Sequence, residues 1–336
     1  RAPDAEVARM ETAGKKLLEV KDLRVRYRRG DEYVCALNGL DLDAARGEKL
    51  GLVGETGAGK TTLALSILGL LPERVGEITG GSIVFSGDEL LEQGEAYMLG
   101  LRGRRVSMIF QDPMTSLNPV QTVGEQIGEV LKLHFPAMGR EERRGRVDRV
   151  LNMVGIPASR AGDYPYQFSG GMKQRVVIAM ALIAEPELLL ADEPTTALDV
   201  TIQAQILDMM RRLQEELGTT VLLISHDLGV VAGFCDRVAV MYAGRIVELG
   251  RVEQVFGGGE NHPYTRGLLR CAPDLGELKP RLEPIPGHMP EPTRLPPGCA
   301  FAERCLECTE LCRRCAPAPR ERDGHLIACH HRWKEG

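Results

Sequence analysis

The sequence predicts an α/β fold that is built around a phosphate-binding loop, with a parallel core sheet, an antiparallel β layer, a helical subdomain and a small cysteine- and proline-rich C-terminal appendage. Three observations lead to this prediction. Residues 54–62 fill the pattern G-x-x-x-x-G-K-[ST] at every fixed position. Continuous apolar runs at 188–191 and 221–224 are typical of buried parallel strands. Six of the nine cysteines lie within residues 299–336.

The phosphate loop lies between a strand-like apolar run at 49–53 and a helix-like run at 62–70. In this context the pattern predicts a nucleoside triphosphate site, because glycines let the backbone wrap the phosphates and the helix N-terminus favours negative charge. Lys60 is expected to reach the phosphates, and the Thr61 hydroxyl to bind Mg²⁺. The predicted nucleotide-binding residues of the loop are Gly54, Glu55, Thr56, Gly57, Ala58, Gly59, Lys60, Thr61 and Thr62.

Length, charge and hydropathy narrow the class of protein. The 336 residues allow a large and a small domain, which we place at 17–258 and 259–336, with a helical subdomain at about 112–185. The net charge of −5 provides no basic field for nucleic acid. The longest apolar run, 176–184, is far shorter than the ~20 residues of a membrane helix. We expect a cytosolic chain without a secretory signal that reaches a membrane only through partners.

Two neighbouring carboxylates follow the apolar run 188–191. Asp192 can hold the Mg²⁺ shell, and Glu193 can polarise a water molecule toward the γ-phosphate. Alone, such a pair also fits a structural role, and the phosphate loop upstream favours the catalytic one. His226 follows the run 221–224, at the strand end where open α/β sheets bind ligands. A lone histidine is more often structural than catalytic. The position of His226 at this strand end nevertheless favours a functional role.

A second glycine-rich helix start is formed by Ser169, Gly170 and Gly171. The serine hydroxyl, the backbone amides and the helix dipole could also bind phosphate. A simple helix cap explains the same residues. If both helix starts bind phosphate, either one nucleotide touches both or two chains exchange them across an interface.

These residues together resemble the ATP-binding subunits of ABC transporters, over residues 17 to about 335. The motif at 168–172 departs from the family pattern in two positions, where Phe168 and Met172 replace the usual Leu and Gln. Six motifs stand in family order, namely the Walker A loop at 54–62, the Q-loop at Gln111, the signature motif at 168–172, the Walker B strand at 188–193, the D-loop at 196–199 with Asp199, and the switch histidine His226.

The resemblance implies a mechanism in which two subunits sandwich two ATP molecules. The phosphate loop of one subunit then faces Ser169, Gly170 and Gly171 of the other, which answers the question raised by the two helix starts. Tyr27 resembles the aromatic residue that stacks on adenine, and Tyr33 is a competitor for that role.

The remaining implied roles concern hydrolysis and Mg²⁺. Gln111 would touch Mg²⁺ or the attacking water and report the γ-phosphate to the membrane subunits. Glu193 and His226 would be catalytic, and Asp199 would belong to the nucleotide site. The implied Mg²⁺ ligands are Thr61, Gln111 and Asp192.

Three stretches, 109–119, 191–205 and 262–266, narrow the resemblance to dipeptide and oligopeptide importers. Those importers pair two different ATPase subunits with two membrane permeases, and a periplasmic or extracellular binding protein delivers the peptide. The implied location is peripheral, at the cytoplasmic face of the inner (plasma) membrane, where residues 113–119 would meet a permease. Two alternatives stay open: an importer for nickel, glutathione or a sugar, and a soluble ABC ATPase of DNA repair or translation. The latter predicts a long coiled-coil insert or tandem cassettes.

The clustered cysteines predict a metal site, because disulfides are rare in a reducing cytosol. The resemblance implies a [4Fe–4S] cluster on four thiolates, namely Cys299, Cys305, Cys312 and Cys329. Cys308 and Cys315 depart from the family pattern and create C-x-x-C spacings typical of a zinc knuckle, so zinc is the alternative metal. A structural role is expected, since a metal can supply folding energy that a proline-rich segment lacks.

Overall fold

The computed structural model describes residues 15–111, 116–196, 198–271 and 284–333. Two predicted features therefore lie partly outside the described residues: 113–115 of the segment expected to meet a permease, and Ala197 of the D-loop. The chain divides into two compact units. The first unit comprises Arg1–Leu17, Ala44–Lys49 and Glu92–Ile224, and the second comprises Leu18–Asp43, Leu50–Leu91 and Ser225–Gly336.

The strands and α-helices of the described residues have the following bounds. The strands are β1 (Lys16–Arg29), β2 (Glu32–Ala45), β3 (Lys49–Val53), β4 (Gly76–Phe85), β5 (Asp88–Glu89), β6 (Val106–Ile109), β7 (Leu188–Asp192), β8 (Thr220–Ile224), β9 (Arg237–Tyr242), β10 (Arg245–Arg251), β11 (Arg320–Arg322) and β12 (His325–Ile327). The helices are α1 (Lys60–Leu68), α2 (Glu95–Leu101), α3 (Val123–His134), α4 (Arg140–Met153), α5 (Gly170–Leu182), α6 (Val200–Leu217), α7 (Leu228–Phe234), α8 (Val252–Phe256), α9 (Pro263–Cys271) and α10 (Glu310–Arg314).

The second unit contains the antiparallel layer, with strand order β2–β1–β4–β5. The sequence predicts two short strands at 17–20 and 23–27, but the structure has one strand, β1. The apparent break is a bulge, where the pairing register with β4 shifts between Lys21 and Arg24 and Asp22 adopts a φ of 44°. A bulge inserts a residue without ending the strand, so the sequence pattern is interrupted while the pairing continues.

The same unit holds the strand that precedes the phosphate loop. Strand β3 pairs in parallel with β9, and β9 forms a hairpin with β10 across Ala243 and Gly244, whose φ angles are 46° and 77°. In the sequence, the runs 238–242 and 245–249 flank these two residues and predict a hairpin. The structure confirms it, with both turn residues in the left-handed region that favours a tight turn. Strand β12 pairs with the other edge of β10, and β11 pairs with β12.

The first unit contains the parallel strands β6, β7 and β8, in which β7 pairs with both neighbours. Every residue of β7 and β8 is buried, which confirms the strands predicted from the apolar runs. Glu187, just before β7, accepts hydrogen bonds from Arg105 Nε at 2.6 Å and from Arg46 Nη1 at 2.8 Å. Burial alone would raise the pKa of this carboxyl, but these two hydrogen bonds outweigh it and lower the pKa.

The first unit also contains the helical subdomain, in which α3, α4 and α5 pack together. Helix α3 begins with a capping box, since the Thr122 hydroxyl accepts from the Glu125 amide and the Glu125 carboxylate accepts from the Thr122 amide. Its buried face includes Val123, Ile127 and Leu131, at the spacing of one helix side. These contacts bury the apolar residues from which the sequence predicts a helical insert.

Parallel strands, an antiparallel layer and a helical subdomain confirm the predicted α/β fold class, while the separate C-terminal appendage stays a prediction. The boundary between 17–258 and 259–336 stays a prediction. Residues 284–333 belong to the same compact unit as the phosphate loop. Within the described parts of the chain, no helix is both long and apolar enough to cross a membrane.

Candidate functional site

The phosphate loop joins β3 to α1 in the second unit, as the sequence predicts. Gly59 precedes the helix with a φ of 109°, and a Cβ there would lie 2.6 Å from the carbonyl oxygen of Ala36. Gly54 is equally constrained, since a Cβ would collide with the carbonyl oxygen of Met241. The glycines at these two positions are therefore required by close backbone approach. Helix α1 then presents its N-terminus to the loop, an arrangement that suits a phosphate.

Lys60 is the first residue of α1 and only 8% exposed. Its ammonium group donates to the carbonyl oxygens of Gly54 at 2.7 Å and Glu55 at 3.0 Å, so the cation lies within the loop. Thr61 is exposed beside it. Thr62 accepts a hydrogen bond from the Tyr27 hydroxyl at 3.2 Å, which brings the predicted adenine-stacking residue to the helix that follows the loop.

The end of β7 brings together three predicted catalytic and Mg²⁺-binding residues in the first unit. Asp192 ends the strand and is 2% exposed. Glu193 has a φ of 49°, and its amide donates to the carbonyl oxygen of Ile224. Its carboxylate lies 2.9 Å from the Thr196 hydroxyl and 3.4 Å from Gln111 Nε2. A non-glycine residue in the left-handed region costs energy, and such strain is concentrated at functional sites.

The second glycine-rich helix start begins α5 of the first unit. The Ser169 hydroxyl accepts from the Met172 amide at 3.4 Å, which is a helix cap. Ser169 and Gly170 are exposed, while a Cβ on Gly171 would lie 2.7 Å from Ile202 Cγ2. The exposed start leaves space for a ligand or a second subunit, in addition to its capping role.

Two further predicted residues lie at helix starts. Asp199 caps α6 by accepting from the Ile202 amide at 2.9 Å. His226 is exposed between β8 and α7, and Asp227 after it caps α7. Asp199 thus has a structural task of its own, whereas exposure leaves His226 accessible to a ligand.

Two residues near the phosphate loop were not among the predicted site residues. The Glu55 amide donates to the Tyr264 hydroxyl at 3.0 Å, and the Glu55 carboxylate accepts from Arg304 Nη1 at 3.0 Å. Tyr264 lies in the 262–266 stretch that carries the importer resemblance, but no local signal in the sequence relates either residue to the loop.

The four cysteines predicted as cluster ligands line one small pocket of the second unit. Neither Cys308 nor Cys315 lines it. Burial raises the pKa of the Cys299 and Cys305 thiols to about 11, so a metal would have to displace their protons. The shared pocket supports the choice of Cys299, Cys305, Cys312 and Cys329 over sets that include the two extra cysteines.

Among the residues that the structure describes, no three His, Cys, Asp or Glu side chains are arranged to hold one metal ion. Tetrahedral zinc requires four sulfur atoms at about 2.3 Å from one point. A [4Fe–4S] cluster is held by thiolates around a larger body. The four predicted ligands thus line one pocket without forming a metal site in this structure, and both the cluster and zinc stay predictions.

Known protein families match two parts of the chain. The ABC transporter family matches residues 37–196. The C-terminal region of oligopeptide/dipeptide transporters matches residues 247–312. The first match includes the phosphate loop and the strand that ends in Asp192, and the second includes Tyr264 and Arg304.

Two relatives that align over more than nine-tenths of this chain are named as transport ATP-binding proteins. The oligopeptide transport ATP-binding protein OppD of Salmonella typhimurium is 49% identical, over 93% of this chain and 93% of the relative. The dipeptide transport ATP-binding protein DppD of Bacillus subtilis is 47% identical, over 94% of each.

Solved structures support the same family. The ATP-binding cassette MJ0796, in a dimeric post-hydrolysis state with ADP and Pi, is 30% identical with a TM-score of 0.63, over 70% of this chain and 98% of that one. CbiO1 of Clostridium perfringens, part of the ABC transporter complex cbiONQ, has the same identity and TM-score, over 72% and 91%. The chain therefore belongs to the ABC transporter family and carries the C-terminal region found in oligopeptide/dipeptide transporters.

Proposed function

We propose that this chain is the ATP-hydrolysing motor of an importer for dipeptides or oligopeptides. The observation that carries the proposal is the likeness to OppD and DppD over almost the whole length, including the C-terminal region at 247–312. A phosphate loop alone would fit many ATPases, so the transported solute is inferred from this second region. Hydrolysis would drive alternating access of the partner permeases.

Within this proposal each site residue has a task. Residues 54–62 bind the phosphates, and Thr61, Gln111 and Asp192 hold Mg²⁺, which supplies charge neutralisation at the phosphates. Glu193 accepts a proton from the attacking water, and Thr196 and Gln111 hold its carboxylate in place. His226 contacts the γ-phosphate, and Tyr27 stacks on the adenine ring.

The nucleotide sites form between two subunits. Ser169, Gly170 and Gly171 of one subunit contact the ATP held by the phosphate loop of the other, and Asp199 lies beside them. The exposure of Ser169 and Gly170 supports this role. We infer a heterodimer with a second ATPase, bound at the cytoplasmic face of the membrane to two permeases that a periplasmic or extracellular binding protein supplies with peptide.

The cysteine pocket is proposed to hold a [4Fe–4S] cluster on Cys299, Cys305, Cys312 and Cys329. The support is that these four thiols line one pocket, while Cys308 and Cys315 do not. The cluster would supply a covalent cross-link among segments of a proline-rich chain rather than electron transfer. Zinc is the alternative occupant.

Uptake by the assembled transporter tests the proposal. The chain would be reconstituted in vesicles with its partner ATPase, permeases and binding protein, and uptake of labelled di- and tetrapeptides measured with and without ATP. We expect ATP-dependent peptide uptake that unlabelled peptides compete for. No uptake of peptides, together with ATP-dependent uptake of labelled nickel, glutathione or a sugar by the same vesicles, would instead support the alternative solutes.

A further inference from the structure

The phosphate loop carries a carboxylate, Glu55, directly after its first glycine. An unpaired negative charge in this position would oppose the binding of a triphosphate, since like charges at short range repel strongly outside bulk water. In the structure the carboxylate is paired. Both of its oxygens lie 3.0 Å from Nη1 of Arg304, a residue 249 positions later in the chain.

Arg304 is itself held firmly. It is 8% exposed, and its guanidinium also donates to the carbonyl oxygen of Pro286 at 2.9 Å, to the Tyr242 hydroxyl at 3.3 Å and to the carbonyl oxygen of Ile285 at 3.4 Å. A buried guanidinium with several fixed acceptors loses little freedom for each hydrogen bond that it makes. Arg304 can therefore act as a rigid anchor for the Glu55 side chain.

Tyr264 holds the backbone of the same residue. Its hydroxyl accepts from the Glu55 amide at 3.0 Å, and its ring is fully buried, 4.6 Å from the ring of Tyr242 and 5.4 Å from that of Phe301. The Glu55 amide and carboxylate are thus both fixed by residues of the C-terminal region. The Glu55 carbonyl, like that of Gly54, accepts from Lys60 Nζ, so the contact extends to the phosphate-binding lysine.

We propose that Arg304 and Tyr264 are positioning residues for nucleotide binding. Arg304 neutralises and orients Glu55, Tyr264 fixes its amide, and together they hold the beginning of the phosphate loop in its binding conformation. Arg304 lies directly before Cys305, so this positioning contact comes from within the cysteine-rich region. The inference rests on the proposed role of the loop in binding ATP, and does not depend on the transported solute.

The test compares nucleotide affinity in the full-length chain and its variants. The Kd for Mg·ADP would be measured by isothermal titration calorimetry, and KM and kcat for ATP by phosphate release. We expect Arg304→Met to raise Kd and KM about tenfold, because Glu55 is left unpaired beside the phosphates, while kcat at saturating ATP stays within about twofold. Arg304→Lys should recover part of the affinity.

A double mutant shows whether the effect passes through Glu55. In the Glu55→Gln background the carboxylate charge is gone, so Arg304→Met should change the affinity much less than in the wild-type chain. Arg314→Gln is the matched control, since Arg314 lies in the same region, is exposed and pairs with exposed Glu310. Equal, additive effects of Arg304→Met in both backgrounds would overturn the positioning role.

If Arg304→Met does not fold, the Tyr264→Phe variant provides a second test of nucleotide affinity. It removes one hydroxyl and keeps the packed ring, and should raise the Kd for Mg·ADP several-fold. Wild-type affinity in Tyr264→Phe would overturn the role of Tyr264, and equal effects of Arg304→Met in the wild-type and Glu55→Gln backgrounds would overturn that of Arg304. Failure of the wild-type chain to bind nucleotide would instead overturn the proposed function.

Discussion

The Thr196 hydroxyl lies 2.9 Å from the carboxylate of Glu193, the residue that directly follows β7. Gln111 Nε2 approaches the same oxygen at 3.4 Å. With its backbone in the left-handed region, Glu193 is held in one orientation by its own strain and by two neighbouring side chains. This is the arrangement expected of a general base, which must stay in a fixed position relative to the water that it activates.

We therefore predict that Glu193→Gln lowers ATP turnover by about a hundredfold or more, because the amide cannot accept the proton. ATP binding should be retained, since the loop 54–62 is unchanged, and the variant should accumulate a closed dimer. Phosphate release and size-exclusion chromatography with ATP measure the two effects. Glu216→Gln, an exposed carboxylate on α6, is the control. Wild-type turnover in Glu193→Gln would show that another group is the base.

The choice between two tyrosines for adenine stacking can be tested directly. Tyr27 is half-buried and bonds to Thr62 of α1, whereas Tyr33 is 42% exposed, with the Arg26 guanidinium 4.0 Å from its ring centroid. Loss of a stacking ring should cost about 1 kcal/mol, so Tyr27→Ala should raise the KM for ATP about fivefold. Tyr33→Ala should leave KM unchanged. The reverse result would assign the stacking role to Tyr33.

The proposed ligand set predicts which cysteine substitutions abolish metal binding and which leave it unchanged. Changing any of four residues to Ser should abolish iron and sulfide binding, namely Cys299, Cys305, Cys312 and Cys329. The Ser variants of Cys308 and Cys315 are the controls and should retain the metal, because neither lines the pocket. Iron, sulfide and zinc analysis with an absorption spectrum of anaerobically purified protein provides the measurement. Metal loss in Cys308→Ser but not in Cys299→Ser would refute the ligand set.

We predict that the Glu187 carboxylate contributes to the free energy of unfolding in a pH-dependent way. Its pKa in the folded chain is lowered, so its contribution is present above the ordinary carboxyl pKa of about 4.3 and is lost as the pH falls through the folded value. Because the group is one-third exposed, we expect Glu187→Gln to reduce the free energy of unfolding by only about 1 kcal/mol at pH 7.

Urea unfolding at pH 7 and at about pH 3.5 checks this prediction. The deficit of Glu187→Gln should shrink at the lower pH, where the wild-type carboxyl also begins to protonate. Asp208→Asn, which removes an exposed carboxylate paired with Arg212 on α6, is the control. A deficit of equal size at both pH values would mean that the effect comes from packing and not from charge.

Local signals in the sequence were sufficient for much of the fold and of the candidate site. The phosphate loop, its flanking strand and helix, and the capped start of α5 depend on residues close in sequence, and the structure places them as predicted. Strand β2 was not predicted, although Leu40, Leu42 and Ala44 are buried in alternation. The turn Asp323–Gly324 between β11 and β12, with φ values of 53° and 74°, also carried a hairpin signal that was missed.

The contacts of Glu55 could not be predicted in this way. Arg304 and Tyr264 reach it over 249 and 209 positions. In the sequence alone, an arginine next to a cysteine cluster fits a charge beside a metal site and an exposed surface residue equally well. Only the folded chain brings these groups together.

The pairing of β12 with β10 makes the last segment of the chain a cover for an otherwise open strand edge. It also carries His325, whose Nε2 lies 2.8 Å from the fully buried carboxylate of Glu248. A protein shortened before Arg320 would expose the backbone of β10 and leave Glu248 with fewer partners. Exposed edges recruit strands from other molecules, so such a truncation would be expected to cause aggregation even with every ATPase motif intact.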